Sequence, residues 1–308
     1  MIILRFTSGL GNQMFQYGMY LYLKKKYPLE RVKADVSWYS WNSAHQGFEL
    51  EKLFSREDNP CFHLDKATEF EAYCCSGELP RGNLLNRLVN RATRFFAGRH
   101  FEAIRLSETG RESCDVLKEK ADHIPAGRNT YITGYFVRES YYGESLEELR
   151  QAFSFDLSAL DCEGQRFLRE IEESESVSIH VRRGDYLNPV YNGNFINLGM
   201  DYYRSAVDII RKKFSNPRFF LFSDDKEYVK AAFGWLTDSV IVTGNDGDKS
   251  YLDMALMSRC RANITANSTF SEWAGLLNDR ADAIVIYPKA YLKDKDSEEK
   301  TLPNWLRL

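Results

Sequence analysis

The chain has 308 residues, enough for two domains of ordinary size. With 44% hydrophobic and 28% charged residues it reads as a soluble globular protein, and a net charge of −3 excludes nucleic-acid binding by bulk electrostatics. No apolar run reaches about 18 residues and no charged n-region leads into a long apolar stretch, so neither a membrane span nor a signal peptide is expected.

In chain order, Ile2-Ile3-Leu4-Arg5-Phe6 predicts a first strand. It runs into Thr7-Ser8-Gly9-Leu10-Gly11-Asn12-Gln13, a turn in which Gly9 and Gly11 let the backbone approach a ligand. Met14, Phe15, Met19, Tyr22 and Leu23 then fall near helical spacing. Lys24-Lys25-Lys26 closes that helix, where cations favour a C-terminus. The stretch from 35 to 140 is less regular. Trp38, Tyr39 and Trp41 cluster there, and such aromatics serve either a core or the apolar face of a sugar. Over 81–99, Leu84, Leu85, Leu88, Val89, Ala92, Phe95 and Phe96 make a helical stripe flanked by Arg81, Arg87, Arg91, Arg94 and Arg99. That pattern suits core packing or rest on an anionic membrane surface.

Residues 156–176 are rich in serine and charge, with a helix allowed around Phe167-Leu168 to Ile171 and a domain boundary nearby, set at 160/161. Beyond it, strands at 177–181, 219–223, 240–243, 263–266 and 283–287 alternate with helices at 200–214, 225–233, 250–260 and 271–278. This alternation predicts a parallel sheet covered on both faces. The cysteines, Cys61, Cys74, Cys75, Cys114, Cys162 and Cys260, show no CxxC spacing, so reduced thiols and a cytosolic compartment are the expectation.

Three groups stand at the carboxyl ends of those strands, where open α/β sheets bind ligands. The first is His180-Val181-Arg182-Arg183-Gly184-Asp185-Tyr186. Paired guanidinium forks match the phosphate oxygens of a nucleotide diphosphate, although an arginine pair also serves as solvated surface charge. The second is Phe222-Ser223-Asp224-Asp225. Asp225 suits a helix N-cap, which leaves Asp224 free to accept hydrogen bonds from a guanine edge or a ribose hydroxyl; capping by both is the alternative. The third, Ala266-Asn267-Ser268-Thr269-Phe270-Ser271, offers hydroxyls at a strand-to-helix turn, either as an anion site or as simple N-capping. The five histidines are scattered and no acidic metal cluster accompanies the arginines, so Arg182, Arg183 and helix N-termini are left to offset phosphate charge.

Read together with Gly9-Leu10-Gly11-Asn12-Gln13-Met14-Phe15-Gln16-Tyr17, Gly134-Tyr135-Phe136, Leu198-Gly199-Met200-Asp201-Tyr202-Tyr203 and Asp253-Met254-Ala255-Leu256-Met257, these segments resemble the α-1,2-fucosyltransferases of glycosyltransferase family 11. The resemblance implies an α/β, GT-B-like architecture of two Rossmann-like domains facing across a cleft. It implies an acceptor-side domain over 1–160 and a GDP-fucose-binding domain over 161–308. GDP-L-fucose would be the donor, a terminal galactose of an oligosaccharide or a lipid-linked polysaccharide unit the acceptor, with inversion and with no cofactor or metal. A cytoplasmic enzyme, peripheral at the inner membrane face through 81–99, is the expected setting.

By likeness to the α-1,6- and protein-O-fucosyltransferases, His180 and Asp224 hold guanine and Arg182 the β-phosphate. Arg183 is structural, paired with Asp185. Ser268, Thr269 and Phe270 lie near the diphosphate and fucose, and Asn12, beside Gly11, stands across the cleft. Arg182, Asp185 and Asn12 are the catalytic candidates, the last two as base or orienting partner. Departures from the family pattern fall at Glu272, at Tyr291 and at Gly47 before Phe48-Glu49-Leu50, positions that bear on the acceptor. The rivals are a transferase of the same fold with another nucleotide sugar and a non-catalytic nucleotide- or glycan-binding protein.

Overall fold

The computed structural model describes residues 1–42, 45–76, 103–107, 114–184, 196–292, 295–296, 302 and 304–308. The basic segment 81–99 and Asp185 lie outside the described residues. The chain divides into two compact units, Met1–Ala152 and Phe153–Leu308.

In the first unit, β1 (Ile2–Arg5), β2 (Val32–Asp35), β3 (Ala103–Ser107) and β4 (Asn129–Thr133) form an all-parallel sheet in the order β2-β1-β4-β3. Helix α1 (Leu10–Lys26) follows β1 and is buried along most of its length, consistent with its aromatic, glycine-containing sequence. Its Gly18 allows close approach to α5 (Glu139–Tyr142): a Cβ there would lie 2.9 Å from the Cβ of Tyr142. Between them in the chain lie α2 (Leu50–Phe54), α3 (Glu69–Ser76) and α4 (Cys114–Asp122), and α6 (Leu146–Ala152) closes the unit.

The second unit opens with Phe153 edge-on to Trp273 and Phe155 stacked on Tyr251. Asp161 then caps α7 (Cys162–Glu173) by accepting from the Gly164 N–H at 2.8 Å. These anchors attach 153–161 to the second unit, so the chain divides at 152/153 rather than at 160/161. The sheet contains β5 (Glu175–Val181), β6 (Pro217–Ser223), β7 (Ser239–Ile241), β8 (Ala262–Ile264), β9 (Ile284–Tyr287) and β12 (Leu306–Arg307), all parallel, in the order β12-β9-β8-β5-β6-β7. A small antiparallel hairpin pairs β10 (Ala290–Leu292) with β11 (Lys295–Asp296).

Strand β5 is buried on both faces, as a central parallel strand must be. Val177, Ile179 and Val181 pack with Tyr203, Val207 and Ile210 of α8 (Met200–Arg211). On the other face, the Ser178 hydroxyl accepts from the Asn263 amide at 2.7 Å, and Asn263 in turn accepts from Asn278. The remaining helices, α9 (Lys226–Ala232), α10 (Tyr251–Ser258) and α11 (Thr269–Leu277), alternate with the strands as the sequence pattern predicts.

Chain order fixes where ligands belong. From β5 the chain builds β6 and β7 on one side, then returns to place β8 and β9 on the other. The first unit repeats this logic, with β2 on one side of β1 and β4 on the other. Strand order therefore reverses between β5 and β8, and between β1 and β4. At such reversals the loops part, and the crevice beyond the carboxyl ends is the standard ligand position.

Candidate nucleotide site at the carboxyl edge of the second sheet

The β5/β8 reversal gathers all three strand-end groups. Register aligns His180 with Phe222 and Val181 with Ser223, so Arg182 emerges beside Asp224. The Arg182 Nη1 lies 2.9 Å from the Asp224 Oδ2. The same carboxylate accepts from the backbone N–H groups of Arg183 and Gly184, each at 3.0 Å. Asp224 thus clamps the turn after β5 and aims its first guanidinium. Gly184 is required at this approach, since a Cβ would fall 2.8 Å from the Asp224 Oδ2.

Arg183 points elsewhere. Its Nε contacts the Asp225 Oδ2 at 3.2 Å and its guanidinium lies over the Tyr228 ring, 3.5 Å from the centroid. Asp225 is also the N-cap of α9, accepting from the Tyr228 N–H at 3.0 Å. The pair is therefore divided: Arg182 at the strand end, Arg183 committed to the first turn of α9.

His180 is buried at the end of β5, with its ring 5.7 Å from that of Phe270. Burial, helped by the Arg182 charge, pushes its pKa down to about 3, so the imidazole is neutral at any working pH. Its Nδ1 is buried without a hydrogen-bond partner. An orphaned buried polar atom is costly unless a ligand satisfies it.

On the β8 side, the chain enters α11 through Ser268, whose side chain makes no capping bond. Ser271 fixes the turn instead: its hydroxyl accepts from the Ala266 N–H at 3.1 Å and donates to the Ser268 carbonyl at 3.2 Å. Asn267 donates to the carbonyls of Ile196 and Tyr291. The first-turn N–H groups of Thr269 and Phe270 have no intrahelical acceptor, and the helix dipole adds positive potential there. A buried neutral imidazole with an unpartnered nitrogen, one oriented guanidinium and a helix N-terminus at a single sheet edge suit a nucleoside diphosphate.

A model of glycosyl transferase family 11 matches residues 100–308. The chain belongs to glycosyl transferase family 11. Among relatives of this family 11 chain, an alpha-1,2-colitosyltransferase of Escherichia coli is 30% identical, over 100% of this chain and 98% of that protein. A galactoside alpha-(1,2)-fucosyltransferase 2 of Bos taurus is 29% identical over 62% of this chain and 58% of its own length. In fold, the chain resembles a NodZ alpha-1,6-fucosyltransferase co-crystallised with GDP, with a TM-score of 0.52, 15% identity, and coverage of 90% and 92% of the two chains. The fold class is α/β of the GT-B kind, as the motifs imply.

For this family 11 glycosyltransferase, the second unit brings together His180, Arg182, Asp224, Ser268, Thr269 and Phe270, each at the edge formed by β5, β6 and β8. Two expectations change. Asp224 already holds Arg182 and two backbone N–H groups, so fewer of its acceptor sites face a ligand than the motif implies. Arg183 contacts Asp225, with Tyr228 beneath; Asp185, its expected partner, lies outside the described residues. In the first unit, Gly11, Asn12 and Gln13 do not lie in a glycine turn. Helix α1 begins at Leu10, and only Ser8, left-handed at φ 69°, and Gly9 make the bend.

Sequence reading also missed the groups that hold these loops. Gln13 donates to the carbonyls of Ser8 and Gly47 and accepts from the Glu49 N–H; Gln16 donates to the Gly134 carbonyl and accepts from the Thr7 N–H. The Glu49 carboxylate accepts from the Leu10 N–H, and burial pushes its pKa up to about 7. In the second unit Asp253 accepts from the Asn245 amide at 2.8 Å, and desolvation likewise raises it to about 7. Both glutamines stand in the motif, at a spacing of three that sets them on one face of α1.

Proposed function

We propose that this chain transfers L-fucose from GDP-L-fucose to the 2-hydroxyl of a terminal β-galactoside, with inversion and without a metal. The observation that carries the reading is the β5/β8 edge, where His180 presents an unsatisfied Nδ1 beside an Arg182 oriented by Asp224. A guanine edge offers both acceptors and donors, so it can satisfy either tautomer of a neutral imidazole. Arg182 and the N-terminus of α11 then meet the diphosphate.

In the reaction, the acceptor oxygen bonds to the anomeric carbon as the bond from that carbon to the β-phosphate oxygen breaks. The bonding pair leaves with GDP, and the developing charge is offset by Arg182 and the α11 dipole, groups already fixed before the step. A single displacement of this kind inverts the anomeric centre. The hydroxyl proton passes to a base; Asp185 is the candidate, with Asn12, half-buried in the first turn of α1, orienting the acceptor. Gly11, buried beside it, keeps that turn compact. Ser268, Thr269 and Phe270 border the diphosphate and the sugar.

The full-length likeness to an alpha-1,2-colitosyltransferase favours a second reading, with the 3-deoxy analogue of fucose as donor sugar. A site built to hydrogen-bond the 3-hydroxyl rejects the deoxy sugar by about 10⁴-fold. Competing the two GDP-sugars against each other on a panel of β-galactosides, with product linkage read by NMR, tests both. An α-1,2-linked fucosyl product is expected; a colitosyl product, or a different linkage, would displace the first reading. The acceptor is an oligosaccharide or a lipid-linked polysaccharide unit. No described helix is long and apolar enough to cross a membrane. A cytoplasmic location with peripheral contact through 81–99 rests on the sequence pattern, and co-sedimentation with anionic liposomes checks it.

A further inference from the structure

All four strands of the first sheet run parallel, so their amino ends share one edge, opposite the carboxyl edge. Two loops meet there: 27–31, between α1 and β2, and 123–128, between α4 and β4. They are fixed to one another. The Tyr27 hydroxyl donates to the Ala121 carbonyl at 2.6 Å and accepts from the Ile124 N–H at 3.0 Å, and Glu30 accepts from the Gly127 N–H at 3.1 Å. On this pinned base Leu29 is 99% exposed, beside exposed Pro28. One leucine in water is ordinary by itself. Its surroundings give it a use.

Arg31 and Arg128 are exposed on the same two loops. The carboxylates nearby are engaged within the unit. Glu30 holds Gly127, and Asp122 bridges Lys26 and Lys118, each at 3.2 Å. Lys24 and Lys25 likewise meet Asp65 and Glu148. Beyond these pairs, the edge carries Arg31, Arg128 and, at the end of α4, exposed Lys120, set against exposed Glu119. A chain with a net charge of −3 thus presents a cationic patch around an apolar tip.

A groove of about 640 Å³ adjoins the patch, between β3 and the end of α4. Ile104, Leu106 and Ile124 give it apolar walls, and Arg105, Lys120 and Glu119 are charged groups in its lining. Thr130 borders it too, and the buried Thr130 hydroxyl has no hydrogen-bond partner. A buried polar atom left in this way points to a bound molecule. Apolar walls, two cations and an orphaned hydroxyl fit a phospholipid, with an acyl chain against the aliphatic side chains and an anionic headgroup against Arg105 and Lys120. We propose that the amino edge of the first sheet is a docking surface for an anionic phospholipid bilayer, with Leu29 entering the headgroup layer and the β3–α4 groove holding one lipid. Each arginine brought to such a surface strengthens binding by about fivefold. The contact is separate in sequence from the stripe at 81–99, and it does not depend on which sugar is transferred. It turns the carboxyl edge of this sheet away from the bilayer.

Co-sedimentation of the full chain with vesicles of phosphatidylcholine, with and without phosphatidylglycerol, tests it. Binding is expected to the anionic vesicles alone and should weaken as salt screens the arginines. Arg31→Gln combined with Arg128→Gln should lower the affinity by about 25-fold, two steps of about fivefold, and Leu29→Ser by about threefold. All three side chains are exposed, so the thermal midpoint and GDP affinity should stay at their wild-type values. Hydrogen exchange in the vesicle-bound protein should slow over 27–31 and 123–128 and, through the groove, over 103–107. No binding to anionic vesicles, equal binding by the wild type and these variants, or protection confined to 81–99 overturns the docking surface.

Discussion

Arg182 is the residue on which turnover should depend most. It sits at the strand end with its guanidinium oriented by Asp224; in the proposed reaction it offsets the charge that develops on the leaving diphosphate. Removing one preorganised group of this kind typically costs about 2.7–4 kcal/mol. Arg182→Ala should therefore lower kcat by about 10²–10³-fold, read from initial rates at saturating donor. Arg183→Ala should act differently, since Arg183 is tied to Asp225 and Tyr228; its main effect is expected on the thermal midpoint. A second residue-scale prediction concerns Asp253. Its carboxyl is raised to about 7 by desolvation, against about 3.9 in an unfolded chain. Between those values the folded state binds the extra proton, so stability falls as pH rises through the window and levels off above about 7. Glu49 acts in the same sense, whereas His180, held near 3, favours unfolding as pH drops below about 6.5. Asp253→Asn should flatten the decline in melting temperature between about pH 5 and pH 8; unchanged profiles would contradict the assignment.

Among the elements, α1 shows best how close packing and loop bracing combine. Its Gly18 faces Tyr142 at a distance no Cβ tolerates. Alanine gains about 1 kcal/mol of helix propensity over glycine, but overpacking costs about 1–3 kcal/mol. Gly18→Ala should therefore destabilise by on the order of 1 kcal/mol and lower the thermal midpoint; a rise would show that α5 moves aside. The start of α1 also marks a limit of sequence reading. Two glycines in three residues look like a turn, yet Gln13 and Gln16 bond the flanking loops and Glu49 receives the Leu10 N–H, which lets the helix begin at Leu10. Those partners come from residues 34 and more than 100 positions away, and no local pattern encodes them. By contrast, the Asp225 cap was legible because capping is local: an aspartate directly before a helical run. Strands β5 and β6 were legible for a similar reason, since their apolar residues fall in one short segment that is buried on both faces. The short strand β12 was not, since two residues carry no periodicity.

At the scale of the whole molecule, each unit is an open parallel sheet whose order reverses once, and the carboxyl edge at each reversal carries the chemically distinctive residues. The second unit supplies a neutral imidazole, an oriented guanidinium and a helix N-terminus; in the first, Gln13 and Gln16 brace the loops that carry left-handed Ser8 and Phe136. The motif order exposed the first of these sites in the sequence, because its residues cluster within a few positions at three strand ends. The central claim is that the β5/β8 edge receives a guanosine diphosphate. Calorimetric titration of the wild type and the Arg182→Ala variant with GDP and with UDP tests it most directly. Saturable binding of one GDP per chain, weaker binding of UDP, and a loss of GDP affinity of about tenfold or more in the variant are predicted. Preference for UDP, or equal GDP affinity in the two proteins, would contradict it.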